Sequence, residues 1–290
     1  MEYIFHVLAF IGIYTILAVS LDLLAGYTGL LSVAHAAFYG LGAYTSALLA
    51  VRFGAHFLVG VVAGMGIAAL VSVAVSMPSL RLHDDYFVIA TFGFQMIFFS
   101  IFNNWMDLTR GPLGIPAIPP PDIFGWRVES QEGIVALIGA AAAFAFVVIG
   151  RISSSPLGRV LRAIREDEAF AQALGKNTLW FKVTVFAVSA ALAASAGSFY
   201  AHYVSYIDPT SFTVMESILV ISMVIIGGAG SRWGPLVGAV VLVMLPEALR
   251  FVGFPSSVAA NLRQIAYGTL LVVMMVARPR GLVGRYAFGR

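Results

Sequence analysis

The sequence predicts an all-α protein, a polytopic bundle of membrane-spanning helices, and three observations carry that prediction. Of 290 residues 60% are apolar and only 11% charged, against about 25% charged in an ordinary soluble protein. The mean hydropathy is +0.93. The apolar residues gather into runs close to the length of about 20 residues that a bilayer core of about 30 Å demands of a helix. A soluble enzyme is excluded, because 17 basic and 14 acidic side chains cannot keep the surface of a domain this size in water. The absence of cysteine removes a disulfide scaffold, thiolate metal sites and thiol nucleophiles.

Nine runs follow in order: 3–25, 33–51, 57–77, 86–102, 133–150, 183–206, 214–230, 234–252 and 262–277. The first lacks the basic start of a signal peptide, carrying only Glu2 and His6, and outruns a usual signal core. About nine membrane helices, eight to ten, are expected, and the alternative to nine crossings is that one or two runs are buried or re-entrant. Gly60 to Gly64 and Ala36 to Gly40 each pair small residues four apart, which permits close helix approach. All 290 residues read as one transmembrane domain.

Basic residues set the orientation. The net charge of +3 could suggest nucleic acid. The cations instead cluster in 151–182 and 278–290, as juxtamembrane segments do, so no nucleic-acid partner is expected. With nine crossings, one side holds Arg81, Arg151, Arg159, Arg162, Arg165, Lys176, Lys182, Arg232, Arg278, Arg280, Arg285 and Arg290. The other holds Arg52, Arg110, Arg127, Arg250 and Arg263. The excess of cations inside then puts the N-terminus outside and the C-terminus in the cytosol.

Two hydrophilic segments are long enough for a role. Residues 103–132 carry Pro112, Pro116 and the triplet Pro119-Pro120-Pro121, so an irregular, helix-free outer loop is expected. Residues 151–182 are basic, cytosolic and helix-permissive. Ser155 can cap a helix and Pro156 suits its first position. Leu157, Val160, Leu161 and Ile164 then recur at helical spacing, while Arg159, Arg162 and Glu166 project elsewhere. Gly175 is placed to end the helix in a left-handed cap. The spacing predicts one amphipathic helix over 156–174, with Arg165-Glu166-Asp167-Glu168 at its middle. Such a helix either lies on the membrane surface or docks a protein. Its mixed charges favour a protein, since a lipid anchor calls for cations alone.

The chain does not read as an ATPase. Gly175-Lys176-Asn177-Thr178 resembles the tail of a phosphate loop, but Phe170 stands where Gly is needed and Asn177 where Ser or Thr is needed. Nor is there metal-ligand spacing or a nucleophile–base pair. Two glycine-broken segments interrupt the apolar pattern: Gly26-Tyr27-Thr28-Gly29 running on to Ser32, and Gly227-Gly228-Ala229-Gly230. Paired interruptions point to a transport pathway built from repeats, where freed backbone groups line water or find protein partners. The alternative is a tight turn between two helices at each place. Ionisable groups in apolar runs are few: Asp22, His35, Glu216 and Glu247. Each is costly against lipid and so faces protein or a cavity. His35, set among alanines, reads as a packing histidine bonded to a carbonyl. Candidate pathway residues are Asp22, Tyr27, Ser32, His35, Glu216, Gly228 and Gly230.

These residues together resemble the permease subunits of high-affinity branched-chain amino acid ABC importers, in their M-type (LivM) branch. Gly26-Tyr27-Thr28-Gly29-Leu30-Leu31-Ser32 with His35-Ala36-Ala37-Phe38, Gly40 and Gly42 is similar to the family's N-terminal signature. Thr109-Arg110-Gly111-Pro112-Leu113-Gly114 is similar to its outer-loop pattern. Ser155-Pro156-Leu157-Gly158-Arg159, then Leu161-Arg162-Ala163-Ile164-Arg165-Glu166-Asp167-Glu168 and Gly175, resembles its cytosolic coupling loop. Departures are Asp22 where Asn is common, Val33-Ala34 for a more usual Leu-Gly, and Glu168-Ala169-Phe170, which places Gly175 one residue late for the general permease pattern Glu-Ala-Ala-x-x-x-Gly. The resemblance implies a non-enzymatic subunit of the bacterial inner membrane, with no cofactor of its own. It would pair with a second, LivH-type permease and two cytosolic ATPase subunits using ATP and Mg²⁺. A periplasmic substrate-binding protein would deliver leucine, isoleucine or valine. Leu157, Leu161 and Ile164 would fill the ATPase groove or anchor the helix on the membrane domain. Arg159, Arg162, Arg165, Glu166 and Asp167 would set register by charge. The alternatives are an ABC permease for urea, amides or other amino acids, and an ion-coupled carrier.

Overall fold

The computed structural model describes residues 2–80, 84–123, 126–250, 256–278 and 280–284. Every one of the nine apolar runs carries a helix. These are α1 (Glu2–Thr28), α2 (His35–Phe53), α3 (Phe57–Ser79), α4 (Asp84–Asn104), α6 (Gln131–Ser154), α9 (Thr178–Val204), α10 (Val214–Gly227), α11 (Gly234–Arg250) and α12 (Ser256–Ala277). Between them lie a single turn, α5 (Met106–Thr109), and the loop helices α7 (Pro156–Glu166) and α8 (Glu168–Ala173). Among the described residues, α1, α3, α6, α9 and Tyr86–Asn104 of α4 are long and apolar enough to cross a membrane. The remaining apolar stretches Val214–Gly227, Gly234–Glu247 and Tyr267–Ala277 are shorter. At 1.5 Å per residue, α10 reaches only about 21 Å, short of the bilayer core.

The bundle packs around α9, which lies against α1, α2 and α3. Glycine sets that closeness. A Cβ on Gly42 would strike the Ala194 backbone, and one on Gly197 would strike the Tyr39 carbonyl. Both small-residue pairs face helices. Gly60 and Gly64 rest α3 on Ser46 and Gly42 of α2, while Gly40 admits the rings of Phe102 and Phe212. A second tight contact joins α10 to α11, where Gly238 meets the Met223 carbonyl and Gly227 that of Gly234. The outward faces are apolar. Leu70, Ile89, Phe144 and Val276 are all more than 60% exposed, a pattern that suits lipid and would aggregate in water.

Two expectations change. The 103–132 segment is not free of helix. Before its first proline, α5 makes one turn, fixed by the Thr109 hydroxyl at 2.8 Å from the carbonyls of both Phe102 and Trp105. Beyond it β1 (Ile115–Pro116) pairs antiparallel with β4 (Tyr206–Ile207), and β2 (Asp122–Ile123) with β3 (Trp126–Arg127). The sixth membrane helix starts five residues before its predicted 183, because Asn177 caps it by accepting the Trp180 amide at 3.2 Å. Lys182, expected in the loop, lies inside α9 and is 6% exposed. Arg81, Arg285 and Arg290 fall outside the described residues.

Candidate functional site

The loop between α6 and α9 is built from its caps. The Ser155 hydroxyl accepts the Gly158 amide at 3.4 Å with Pro156 in the first position, as the sequence predicts. The predicted single helix over 156–174 is instead two. Asp167 adopts an extended backbone (φ −156, ψ 103) and uses its carboxylate to accept the Phe170 amide at 2.9 Å, ending α7 and starting α8. An Asp competes for local backbone donors, which is why it favours caps over helix interiors. Gly175 closes α8 at φ +76, and the Lys176 amide reaches back to the Ala171 carbonyl at 3.2 Å.

Burial divides the loop side chains into two sets. Gly158, Leu161 and Ile164 are buried on the membrane domain, and Leu157 is half-buried. The apolar stripe therefore anchors α7 to the bundle. Arg159, Glu166 and Asp167 are exposed, and so are Phe170 and Leu174, at 61% and 63%. Arg162 is half-buried and shares a cavity of about 460 Å³ with Tyr27, Ser153, Ser154, Arg232 and Trp233. Glu168 ties α8 to α9 through Lys182 Nζ at 2.6 Å. Burial pushes the Glu168 carboxyl up. Its contacts with Lys182, Thr178 and Gln172 outweigh that and hold it below the ordinary carboxylate range.

Arg165 reaches inward. It was expected to face a partner, but it is half-buried and its guanidinium donates to the Gly26 carbonyl at the end of α1. A cation there also complements the negative end of the helix. One turn earlier Asp22, 2% exposed, accepts the Gly230 amide at 2.7 Å. There is no room for a side chain between them, since a Cβ on Gly26 would strike both Asp22 and the Gly230 amide. Gly228 and Gly230 take φ of +112 and +70, and the strand of chain after α12 crosses the break, with Leu282 and Val283 amides bonded to Ile226 and Gly227 carbonyls. Loop, first helix and second glycine break are thus joined by hydrogen bonds.

The first glycine break is more than a surface turn. After Thr28 the chain doubles back into the bundle, and α2 starts at His35 beside Ser20, two turns up α1, with His35 Nε2 at 2.8 Å from Ser20 Oγ. The Ser20 hydroxyl also lies 2.8 Å from the Leu17 carbonyl, which His35 bonds as well. The histidine packs, as expected, with the Leu17 carbonyl and the Ser20 hydroxyl as its partners. The free amides at this buried helix start are met by other helices. Val33 bonds to Thr91 Oγ1 at 3.1 Å, Ala36 to Ser217 Oγ at 2.9 Å and Ala37 to Gln95 Oε1 at 2.7 Å. Gln95 in turn donates to the Phe212 carbonyl at 2.8 Å. Ser32 is buried and takes the Ala34 amide. Glu216 lies apart, bonded by Tyr14 at 2.5 Å. The predicted pathway residues therefore fall in three places. Asp22, Tyr27, Gly228 and Gly230 sit at the loop end, Ser32 and His35 at the buried start of α2, and Glu216 at the far end. Thr91, Gln95 and Ser217 were missed. Polar residues in the apolar runs of α4 and α10 were the only signal for them.

The α2 start yields a quantitative expectation. Gln95→Leu takes the donor from the Phe212 carbonyl and leaves the Ala37 amide only its 3.1 Å bond to the Ala34 carbonyl, a loss of about 1–3 kcal/mol. The purified protein should unfold at clearly lower denaturant, and an unchanged midpoint would show that these bonds contribute nothing.

Packed apolar helices, buried polar caps at broken helices and a charged loop bolted to one end together define a multi-pass membrane permease. The chain belongs to the family of branched-chain amino acid transport system permease components, whose model matches residues 3–277. It is 34% identical over 297 residues to the high-affinity branched-chain amino acid transport system permease protein LivM of Escherichia coli K12, covering 93% of this chain and 68% of that one. It is 26% identical over 321 residues to the probable LivM permease of Methanocaldococcus jannaschii, covering 96% and 92%. Over 292 residues it is 26% identical to the LivH permease of Salmonella typhimurium LT2, covering 94% and 91%. No solved structure matches it.

Proposed function

We propose that the chain is the membrane-spanning subunit of an ABC importer that moves leucine, isoleucine and valine across a bacterial inner membrane. It works beside a second permease, two cytosolic ATPases that use ATP and Mg²⁺, and a binding protein on the outer side. The α7–α8 end faces the cytosol. One observation supports this most: the loop has an anchored face and a free face, and the anchored face reaches the bundle interior. Arg159, Glu166, Phe170 and Leu174 offer both signs of charge and apolar surface to a partner. Leu161, Ile164 and Arg165 carry any push into α1, and Asp22 carries it on to the glycine break. Closure of the ATPases then biases the bundle between outward and inward openings, since a partner that binds one state better shifts the population toward it. Of the buried acids that an ion-coupled carrier would use, Asp22 and Glu216 are committed to Gly230 and Tyr14, and such a carrier has no use for a mixed-charge docking loop.

The test targets the free face alone. Co-expression with the second permease and both ATPases, carrying Phe170→Asp and Leu174→Asp, should cut ATPase recovery on the purified permease at least about tenfold, as expected when charges replace apolar interface anchors. Uptake should vanish while membrane insertion persists. Wild-type recovery and uptake would remove the assignment.

A further inference from the structure

At the end opposite the loop, a cavity of about 230 Å³ lies between the N-terminal half of α1 and helices α10, α11 and α12. Its walls are of two kinds. Leu219, Met223, Leu242 and Val243 form an aliphatic side. Phe10, Tyr14 and Tyr267 supply aromatic rings. Into this setting Glu247 brings a carboxylate whose Oε2 is buried and meets no hydrogen-bond donor. Tyr14, which also lines the cavity, holds a second carboxylate, Glu216, at 2.5 Å. None of the lining residues is Lys or Arg.

A carboxylate oxygen withdrawn from water without a donor is costly, and a chain that keeps one in an apolar wall calls for a cationic partner. The neighbouring rings act in the same direction, because an aromatic face attracts cations. A bare metal ion does not fit this chemistry. Among the described residues no three His, Asp or Glu gather as a metal site, and the aliphatic side would have nothing to contact. A compact molecule with an ammonium group at one end and a branched aliphatic body at the other meets both walls.

The geometry points to a binding site for the α-ammonium and side chain of an aliphatic amino acid, with Glu247 accepting the ammonium, Glu216 supporting it through Tyr14, and Leu219, Met223, Leu242 and Val243 enclosing the side chain. The inference rests on the permease reading and adds to it where the cargo is held. The position suits a molecule arriving from outside, since the cavity lies at the opposite end of α1 from Gly26 and Arg165.

The experiment uses the complete reconstituted transporter and a leucine analogue bearing a photoreactive diazirine in its side chain. In the wild-type complex the label should fall on Leu219, Met223, Leu242 or Val243, and the same analogue without its amino group should fail to label them. Glu247→Gln should cut both labelling and leucine uptake about tenfold or more, the scale of a lost charge-assisted hydrogen bond, and Glu247→Asp should recover part of each. Equal labelling by the amino-free analogue overturns the proposal, and this arm needs no mutant to fold. So does wild-type uptake in Glu247→Gln. If the wild-type complex moves no branched-chain amino acid, the permease reading itself has failed. Normal wild-type uptake with an insensitive Glu247 removes this site alone.

Discussion

If the chain works in the proposed ATP-driven importer, Arg165→Glu should lower uptake about a hundredfold while the protein still inserts and still recovers the ATPases. The guanidinium gives a charge-assisted hydrogen bond to the Gly26 carbonyl, an interaction of about 1.5–3 kcal/mol. The replacement carboxylate instead faces a carbonyl at the negative end of α1, adding about 0.3–1 kcal/mol of repulsion. It also sits near the buried Asp22, one turn back along the same helix. Together these approach 3 kcal/mol, or two factors of ten. Arg165→Gln keeps a donor without the charge and should fall between the two. The free face carrying Phe170 and Leu174 is untouched, so ATPase recovery separates this variant from the docking mutant. Wild-type uptake in Arg165→Glu, measured in proteoliposomes, would show that the bond to α1 transmits nothing.

The second large effect concerns stability. Gly42→Leu should destabilise the bundle by about 3 kcal/mol or more and leave little folded protein in the membrane. Its first side-chain carbon would overlap the Ala194 backbone, and backbone cannot rotate aside as a side chain can. The only relief is to separate α2 from α9, which also opens the Gly197 contact with Tyr39. Overpacking a tight core costs about 1–3 kcal/mol where side chains can yield, and more where they cannot. Gly66→Leu is the matched control. It lies on the exposed face of α3, with nothing within 4 Å of a new Cβ. Chemical unfolding in detergent should distinguish the two, and equal midpoints would contradict the packing assigned to α2 and α9.

Much of the candidate site could be read from residue order because its signals are local. Ser155-Pro156 started α7, and Gly175 ended α8, where their backbone preferences place them. The break at Asp167 was harder to see. A cap within a helical pattern looks the same as a helical Asp until the chain direction on each side is known. Leu157, Leu161 and Ile164 were recognised as one stripe, but a stripe does not say what covers it. Burial of Leu161 and Ile164 on the bundle resolved that choice. Arg165 was grouped with the exposed charges because it stands among them, yet its long side chain turns inward to α1.

Composition and spacing alone established a membrane-embedded helical protein, the place of each apolar helix, the two glycine breaks and the charged loop. All of these follow from neighbours within a few turns, where periodicity and backbone preference act. Folding in three dimensions was needed to join Asp22 to Gly230, which are 208 residues apart, and Ala36 to Ser217, which are 181 apart. It was also needed to place the start of α2 inside the bundle rather than at its surface. The reason is that a broken helix must satisfy its free amides away from water, and any polar side chain brought near by packing can do so. That choice depends on which helices meet, and local sequence pattern carries no record of it.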